Sequence, residues 1–240
     1  MGFVKVSVIM PAYNVARYID QAIASVLVQR GVSFELLIAD DASTDGTWSR
    51  IVAHQRDKRV KAWRFKTRQG PGRLSNFLIR LCAKGSYLSS CDADDRMLPE
   101  HLRTLVRVLD QRPRVGVVYG DLLLKEMSGK CRLFSRSPGP TQTWDLIDGS
   151  IGRGGTLVRR AVFNKAGGYR TDLPFLEDVE LFLRLSEITK FYYYRGKPLY
   201  LYRKRAGSLS DQSPRDWSAV GKSILKKAIF RRYGFRAPWR

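Results

Sequence analysis

Short, nearly all-apolar runs alternate with segments of helical period four times in the first ~110 residues, and that alternation narrows the fold more than any other feature. "VKVSVIM" (Val4 to Met10), "FELLIAD" (Phe34 to Asp40), "VKAWRF" and "SYLSS" read as strands. The first two lack the in–out alternation of a half-solvated strand, so they predict strands covered on both faces. Between them, Ile19, Ala22, Ile23, Val26 and Leu27 recur at helical spacing, with Asn14 as the cap. After the turn "DASTDGT" a helix carries Trp48, Ile51 and Val52. "RLSNFLIRLCAKG" puts Leu74, Phe77, Leu78 and Leu81 on one face, with Gly85 as its stop. A further helix, with Pro99 in its first turn, points Leu102, Leu105, Val106 and Leu109 inward. The pattern predicts an α/β fold, a mostly parallel sheet flanked by helices.

The second half is less regular. "VGVVYGDLLLKEMSGKCRLF" reads as strand, strand, a turn at Ser128-Gly129, and strand. "GGTLVRRAVFNKAGGYR" reads as a strand running into a short helix, "LEDVELFLRLSEIT" as an amphipathic helix, and "KFYYYRGKPLYLYRKRAGS" as two strands. No repeat or low-complexity linker interrupts the chain.

Against 43 Lys and Arg the chain has only 22 Asp and Glu, a formal charge of +21, yet three of its acids, Asp92, Asp94 and Asp95, fall within four positions. Like charges this close repel, so a positive group should join them in the working protein. Ligands of such sheets bind outside the carboxyl ends of the strands. Asp40-Asp41 and Asp92-Ala93-Asp94-Asp95 both follow strands, so the predicted fold brings the two groups near each other. On an extended strand end, Asp92 and Asp94 would face the same way.

The basic excess points to an anionic partner: nucleic acid, anionic lipid or a phosphorylated substrate. No apolar run reaches the ~18 residues of a membrane span. The start has no long apolar core or cleavage site, so no signal peptide is expected, and Val6 breaks the myristoylation pattern. Cys82, Cys91 and Cys131 show no paired spacing and read as reduced, without structural zinc. The two histidines, His54 and His101, each sit in a helical pattern, at a core edge or on a solvated face. Carboxylates and arginines are left to carry any chemistry.

Taken in order, "VSVIMPAYN", "DDASTDGT", "LSNFLIRLCAKGSYLSSCDADD", "GGYR", "LEDVELFLRL" and "YLYRKRAGSLS" resemble the family 2 glycosyltransferases of the GT-A fold, from about Lys5 to Ser210. The resemblance implies a Rossmann-like GT-A domain over 1–210, with a nucleotide-binding half over about 1–120 and a smaller mixed acceptor-side half over about 121–210. It implies inverting transfer from a nucleotide-sugar donor, with a UDP-sugar favoured, to a saccharide or polyprenyl-linked acceptor in surface polysaccharide or glycolipid synthesis. The implied location is cytoplasmic, peripheral at the inner face of the membrane.

Residue by residue, Asp92-Ala93-Asp94 matches the family's DxD motif, which implies Mn²⁺ or Mg²⁺ at the donor diphosphate. Asp94 is the favoured metal ligand, Asp95 stands close behind it, and Asp92 reaches the ribose. Pro11, Ala12 and Tyr13 match the segment that holds the nucleoside, and Asp41 the acid that accepts from a pyrimidine N–H. Asn76 matches a donor-side position; the arginine usual before it is Ser75 here, with Arg73 as a substitute. "LEDVEL" matches the ED motif, making Asp178 the base and leaving Glu177 a structural role. Arg203 and Arg205 flank the diphosphate. Many relatives carry His where Arg205 stands, so the third metal ligand departs from the pattern.

Residues 211–240 read as a basic helical tail. From Trp217 to Arg240 there are seven Lys/Arg and no acid, and Ile224, Leu225, Ala228 and Ile229 form an apolar stripe able to rest on anionic lipid. Two other functions compete. A nucleotidyltransferase predicts a Gly-rich basic loop after the first strand, and "MPAYNVAR" has no glycine. A nucleic-acid-binding module predicts basic residues interleaved with aromatics, as in "FYYYR" and "LYLYR", but acids at the strand ends would repel phosphates, so no nucleic acid is expected.

Overall fold

A computed structural model describes residues 4–136, 153–173, 175–208 and 214–233. The strands are β1 (Val6–Ala12), β2 (Phe34–Asp40), β3 (Val60–Arg64), β4 (Tyr87–Ser90), β5 (Arg96–Met97), β6 (Val115–Gly120), β7 (Leu122–Lys125), β8 (Cys131–Phe134), β9 (Thr156–Arg159), β10 (Lys190–Tyr194) and β11 (Tyr200–Arg203). The helices are α1 (Ile19–Leu27), α2 (Thr47–His54), α3 (Pro71–Phe77), α4 (His101–Asp110), α5 (Arg160–Lys165), α6 (Glu177–Ile188) and α7 (Pro214–Tyr233). Seven strands form one sheet in the order β10-β6-β9-β4-β1-β2-β3, and β5-β11-β7-β8 form a second. In the large sheet β9 alone runs antiparallel, to β4 on one side and β6 on the other. The α/β architecture expected from the alternation is the one observed.

Period-two alternation sorts the core into two layers. Val6, Val8 and Met10 of β1 and Leu36 and Ile38 of β2 face a cluster that includes Ile19, Ile23 and Leu102. Ile9, Leu37 and Ala39 face the other way, onto Leu74, Leu78 and Phe182. Every residue of β2 is buried, Glu35 and Asp40 included, as its lack of in–out alternation predicts for a strand covered on both faces.

Three local expectations give way to the structure. Asn14 does not cap α1, which begins at Ile19 behind Tyr18. Its backbone is left-handed (φ 47°) and its Oδ1 accepts from Thr44 N at 2.9 Å, so it pins the loop after β1 to the loop after β2. Leu81 does not face inward: a π-helical turn over Leu78–Cys82 follows α3, and the extra residue per turn leaves Leu81 76% exposed. Gly85 is no helix stop either. A Cβ there would lie 2.4 Å from Ser7 N, so the glycine permits a close backbone approach to β1.

Of the tail's apolar stripe, Ile224 and Ala228 are buried in the core layer that holds Phe182, and Arg231 Nε contacts Glu187 Oε1 at 3.1 Å. The side chains of Leu225 and Ile229 lie outside the described residues. Lys222, Lys226, Lys227 and Phe230 are exposed. Among the described residues no helix is long and apolar enough to cross a membrane.

Candidate active site

Parallel strands β1, β2 and β4 deliver their carboxyl ends to one edge, and the loops there carry the acids. At the end of β2, Asp41 is nearly fully buried because a loop closes over it. Its Oδ1 accepts from Gln69 N at 2.6 Å, and its Oδ2 from Gly70 N at 3.0 Å and Arg68 Nε at 3.1 Å. The guanidinium of Arg68 lies 3.4 Å from the centre of the Tyr13 ring, so Asp41, Arg68 and Tyr13 form one stacked and hydrogen-bonded unit. Pro11 and Ala12 end β1 beside it, and Asp41 N donates to Ala12 O at 2.8 Å. A cleft of about 230 Å³ adjoins this unit, lined in part by Gln69, Gly70, Arg73 and Arg170.

Asn76 spends its amide on one backbone unit: Nδ2 donates to Tyr169 O at 2.8 Å and Oδ1 accepts from Tyr169 N at 2.9 Å. The approach requires glycine next door. Gly168 has φ 80°, and a Cβ there would sit 2.7 Å from Asn76 Oδ1. Asn76 thus ties α3 to the "GGYR" loop.

The acids after β4 do not stay extended. Asp95 N donates to Asp92 O at 2.9 Å, closing a turn, so Asp92 and Asp94 meet different partners rather than sharing a face. Asp92 Oδ1 lies 2.8 Å from Arg153 Nε without a directed hydrogen bond, a pair held by charge. Asp94 Oδ2 lies 2.5 Å from Arg205 Nε, and Asp94 O accepts from Arg203 Nε at 2.9 Å. Both arginines flank the Tyr18 ring. Asp95 is buried, its Oδ2 accepting from Tyr200 Oη at 2.9 Å and its Oδ1 from Arg203 N at 2.8 Å. Burial, and then the charges of Asp94 and Asp92, push its carboxyl well above the ordinary range. The positive groups that the acid cluster demanded are Arg153, Arg203 and Arg205.

Asp178 opens α6. Its Oδ1 accepts from Val179 N at 2.9 Å and its Oδ2 from Arg153 N at 3.3 Å; the residue before the helix is Leu176, in a left-handed conformation with no side-chain cap. Glu177 is buried, 3.2 Å from Arg153 Nη1, and burial lifts its carboxyl to about 7 against the pull of that guanidinium. The two histidines stay outside this edge. His101 is buried between Leu199 O and Ser89 Oγ, where desolvation lowers it to about 4, and His54 pairs with Asp20.

Sequence reasoning did not identify Arg153 or Tyr200. Tyr200 Oη accepts from Asp92 N at 3.0 Å while donating to Asp95, so it fastens both ends of the acid turn. Arg153 lies in no motif, and Tyr200 opens "YLYRKRAGSLS", where only the arginines were read as site residues; for Arg153 the available signal was the need for a cation beside the acids.

The donor set at this turn fits a hard divalent cation. Asp94 offers a partly exposed carboxylate, while both oxygens of Asp95 already accept from the fold. Among the described residues no group of three or more His, Cys, Asp or Glu is arranged around a common metal position. Such a set suits Mg²⁺ or Mn²⁺, which take most of their ligands from water and phosphate oxygens rather than from an all-protein cage.

The family model described as glycosyl transferase family 2 matches residues 7–165. MT1568 of Mycobacterium tuberculosis is 30% identical over 198 residues, covering 75% of this chain and 61% of that protein. EpsE of Bacillus subtilis, named as a candidate glycosyltransferase, is 31% identical over 196 residues, covering 76% of this chain and 67% of that protein. The chain therefore spans 61% to 67% of the length of these two relatives. Among solved structures, TarS 1–349 of S. aureus in complex with UDP-GlcNAc superposes with a TM-score of 0.73 at 21% identity, covering 97% of this chain and 74% of that one. The mannosyltransferase PcManGT of Pyrobaculum calidifontis, in complex with GDP-Man and Mn²⁺, superposes with a TM-score of 0.65 at 19% identity, covering 98% and 66%. At these identities the two structures establish a shared GT-A fold.

Proposed function

The chain belongs to glycosyl transferase family 2, and on that premise we propose that it is a metal-dependent, inverting glycosyltransferase moving a sugar from a nucleoside-diphosphate donor to an acceptor hydroxyl. The observation that carries this reading is convergence. The Asp41 unit and the Asp92–Asp95 turn share one sheet edge, and Arg153 joins that turn to Glu177 and Asp178.

In this reading Tyr13 and Asp41 hold the base, with Pro11 and Ala12 forming the adjacent floor. An ionised Asp41 only accepts, which suits a uracil N3–H, and Arg68 beside it is a donor for a neighbouring carbonyl, so a UDP-sugar is favoured. The fold neighbours were solved with UDP-GlcNAc and GDP-Man, which supports a nucleotide sugar as the donor class. Asp92 takes the ribose, and Asn76 supports the donor site by holding the Tyr169 loop against α3. Asp94, with Asp95 behind it, would hold Mn²⁺ or Mg²⁺, which when bound offsets the charge of the diphosphate. Arg203 and Arg205 add positive charge where the departing nucleoside diphosphate gathers negative charge. Asp178, in the first turn of α6, accepts the proton of the attacking hydroxyl. The acceptor is a saccharide or polyprenyl-linked hydroxyl, met at the cytoplasmic face of a membrane in polysaccharide or glycolipid synthesis.

The test is a screen of UDP- and GDP-sugars for hydrolysis with Mn²⁺ or Mg²⁺, followed by Asp178→Asn. The variant keeps the shape of the side chain but is a far weaker base. It should bind the donor as wild type does and turn it over ~10²-fold or more slowly. A folded Asp178→Asn protein working at the wild-type rate would remove Asp178 as the base, and no turnover of any nucleotide sugar would count against the activity itself.

A further inference from the structure

Arg153 lies in none of the motifs that carry the family resemblance, yet its side chain is only 14% exposed at the centre of the acids. It reaches three of them in three ways. Nε faces Asp92 Oδ1 at 2.8 Å, Nη1 faces Glu177 Oε1 at 3.2 Å, and the main-chain N–H donates to Asp178 Oδ2 at 3.3 Å. Asp92 follows β4, on the donor side, whereas Glu177 and Asp178 open α6, on the base side. Reaching two carboxylates on different elements at once needs cationic nitrogens held a fixed distance apart. A guanidinium supplies these, and an ammonium supplies only a point charge.

We infer that Arg153 is a positioning residue that sets the distance between the donor-holding acid turn and the carboxylate of Asp178, and offsets their mutual repulsion. The inference rests on the glycosyltransferase reading and adds to it a residue that no motif contains. Without the guanidinium, buried Glu177 and partly buried Asp92 would lose the counter-charge they share, and α6 would shift to separate them.

The variants are Arg153→Gln, Arg153→Lys, Glu177→Gln and the Arg153→Gln/Glu177→Gln pair, assayed by hydrolysis of the nucleotide sugar found active with Mn²⁺. A displacement of about 1 Å costs ~10²-fold, so Arg153→Gln should lose that much in kcat while the donor KM stays within ~3-fold. Arg153→Lys should recover part of the loss. Glu177→Gln should partly rescue Arg153→Gln, because it removes one of the acids that the guanidinium balanced. Hydrogen exchange over residues 177–183, read without donor, should rise in Arg153→Gln and fall again in the double variant. A wild-type kcat in Arg153→Gln overturns the inference. So does a double variant no better than Arg153→Gln, since a passive staple is not rescued by deleting a charge. If wild type hydrolyses no nucleotide sugar, the functional reading fails and takes the catalytic purpose of Arg153 with it; unchanged exchange in Arg153→Gln is instead the mark of an inference that fails by itself.

Discussion

Tyr200→Phe removes one oxygen from the centre of the acid turn, and its cost can be worked from the contacts. Tyr200 is fully buried, and its hydroxyl serves two groups at once, accepting from Asp92 N at 3.0 Å and donating to Asp95 Oδ2 at 2.9 Å. Phenylalanine fills almost the same space, so no cavity opens and the loss is polar. A buried group left without its partner costs ~1–3 kcal/mol, so two of them cost about 2–6 kcal/mol. At ~2–4 °C per kcal/mol for a domain of this size, Tm should fall by ~4–24 °C. Activity should also suffer, because Asp94 hangs between the two tethered residues and Arg203 N alone would then hold the Asp95 carboxylate. A loosened turn should slow donor turnover by ~10-fold or more, within the range that positioning errors produce. Thermal unfolding followed by circular dichroism, and donor hydrolysis with Mn²⁺, read the two effects on one preparation. A Tm within ~2 °C of wild type together with unchanged turnover would refute the reasoning, since the hydroxyl would then not be what satisfies Asp92 and Asp95.

Three further outcomes follow from the same site and from the tail. EDTA should abolish donor turnover and Mn²⁺ should restore it, while Asp94→Asn should stay inactive at any Mn²⁺ concentration; full activity in EDTA would remove the metal from the mechanism. The carboxyl of Glu177 is lifted to about 7 from 4.5, so the fold holds its proton more tightly than the unfolded chain does. Its contribution to stability is therefore full below about pH 4.5 and is lost as pH rises through about 7. Urea midpoints from pH 5 to 8 should fall less steeply in Glu177→Gln than in wild type, and parallel curves would show that Glu177 does not titrate in this window. The exposed face of α7 carries Lys222, Lys226, Lys227 and Phe230, so vesicles rich in anionic lipid should bind the chain at low salt and release it as the Debye length shrinks toward ~8 Å at physiological ionic strength. Equal binding to neutral vesicles would argue against an electrostatic dock.

What the sequence made legible, and what it hid, divides along a physical line. Strands β1 and β2 were readable because burial on both faces forces a mostly apolar run without in–out alternation, and that constraint acts on each residue separately. The positions of Asp41 and of the acid turn followed, since a parallel sheet fixes where its strand ends go. The turn itself was misjudged: alternation holds only while the chain stays extended, and the bond from Asp95 N to Asp92 O ends it. Leu81 was misjudged for a related reason, as one π-helical turn shifts every later residue off the 3.6 period. Tyr200 and Arg153 were hidden differently. Each acts at long range, Tyr200 across 108 residues to Asp92 and Arg153 across 25 to Asp178, and no local period encodes such a contact. The acids nonetheless predicted that cations would be found beside them, because a buried cluster of like charges is tolerated only when balanced. The balance is uneven. Asp94 has Arg205 at 2.5 Å, whereas Asp92 and Glu177 share the one guanidinium of Arg153. The acid turn after β4 and the start of α6 are thus tied through one side chain, and a change at either acid should be felt at the other.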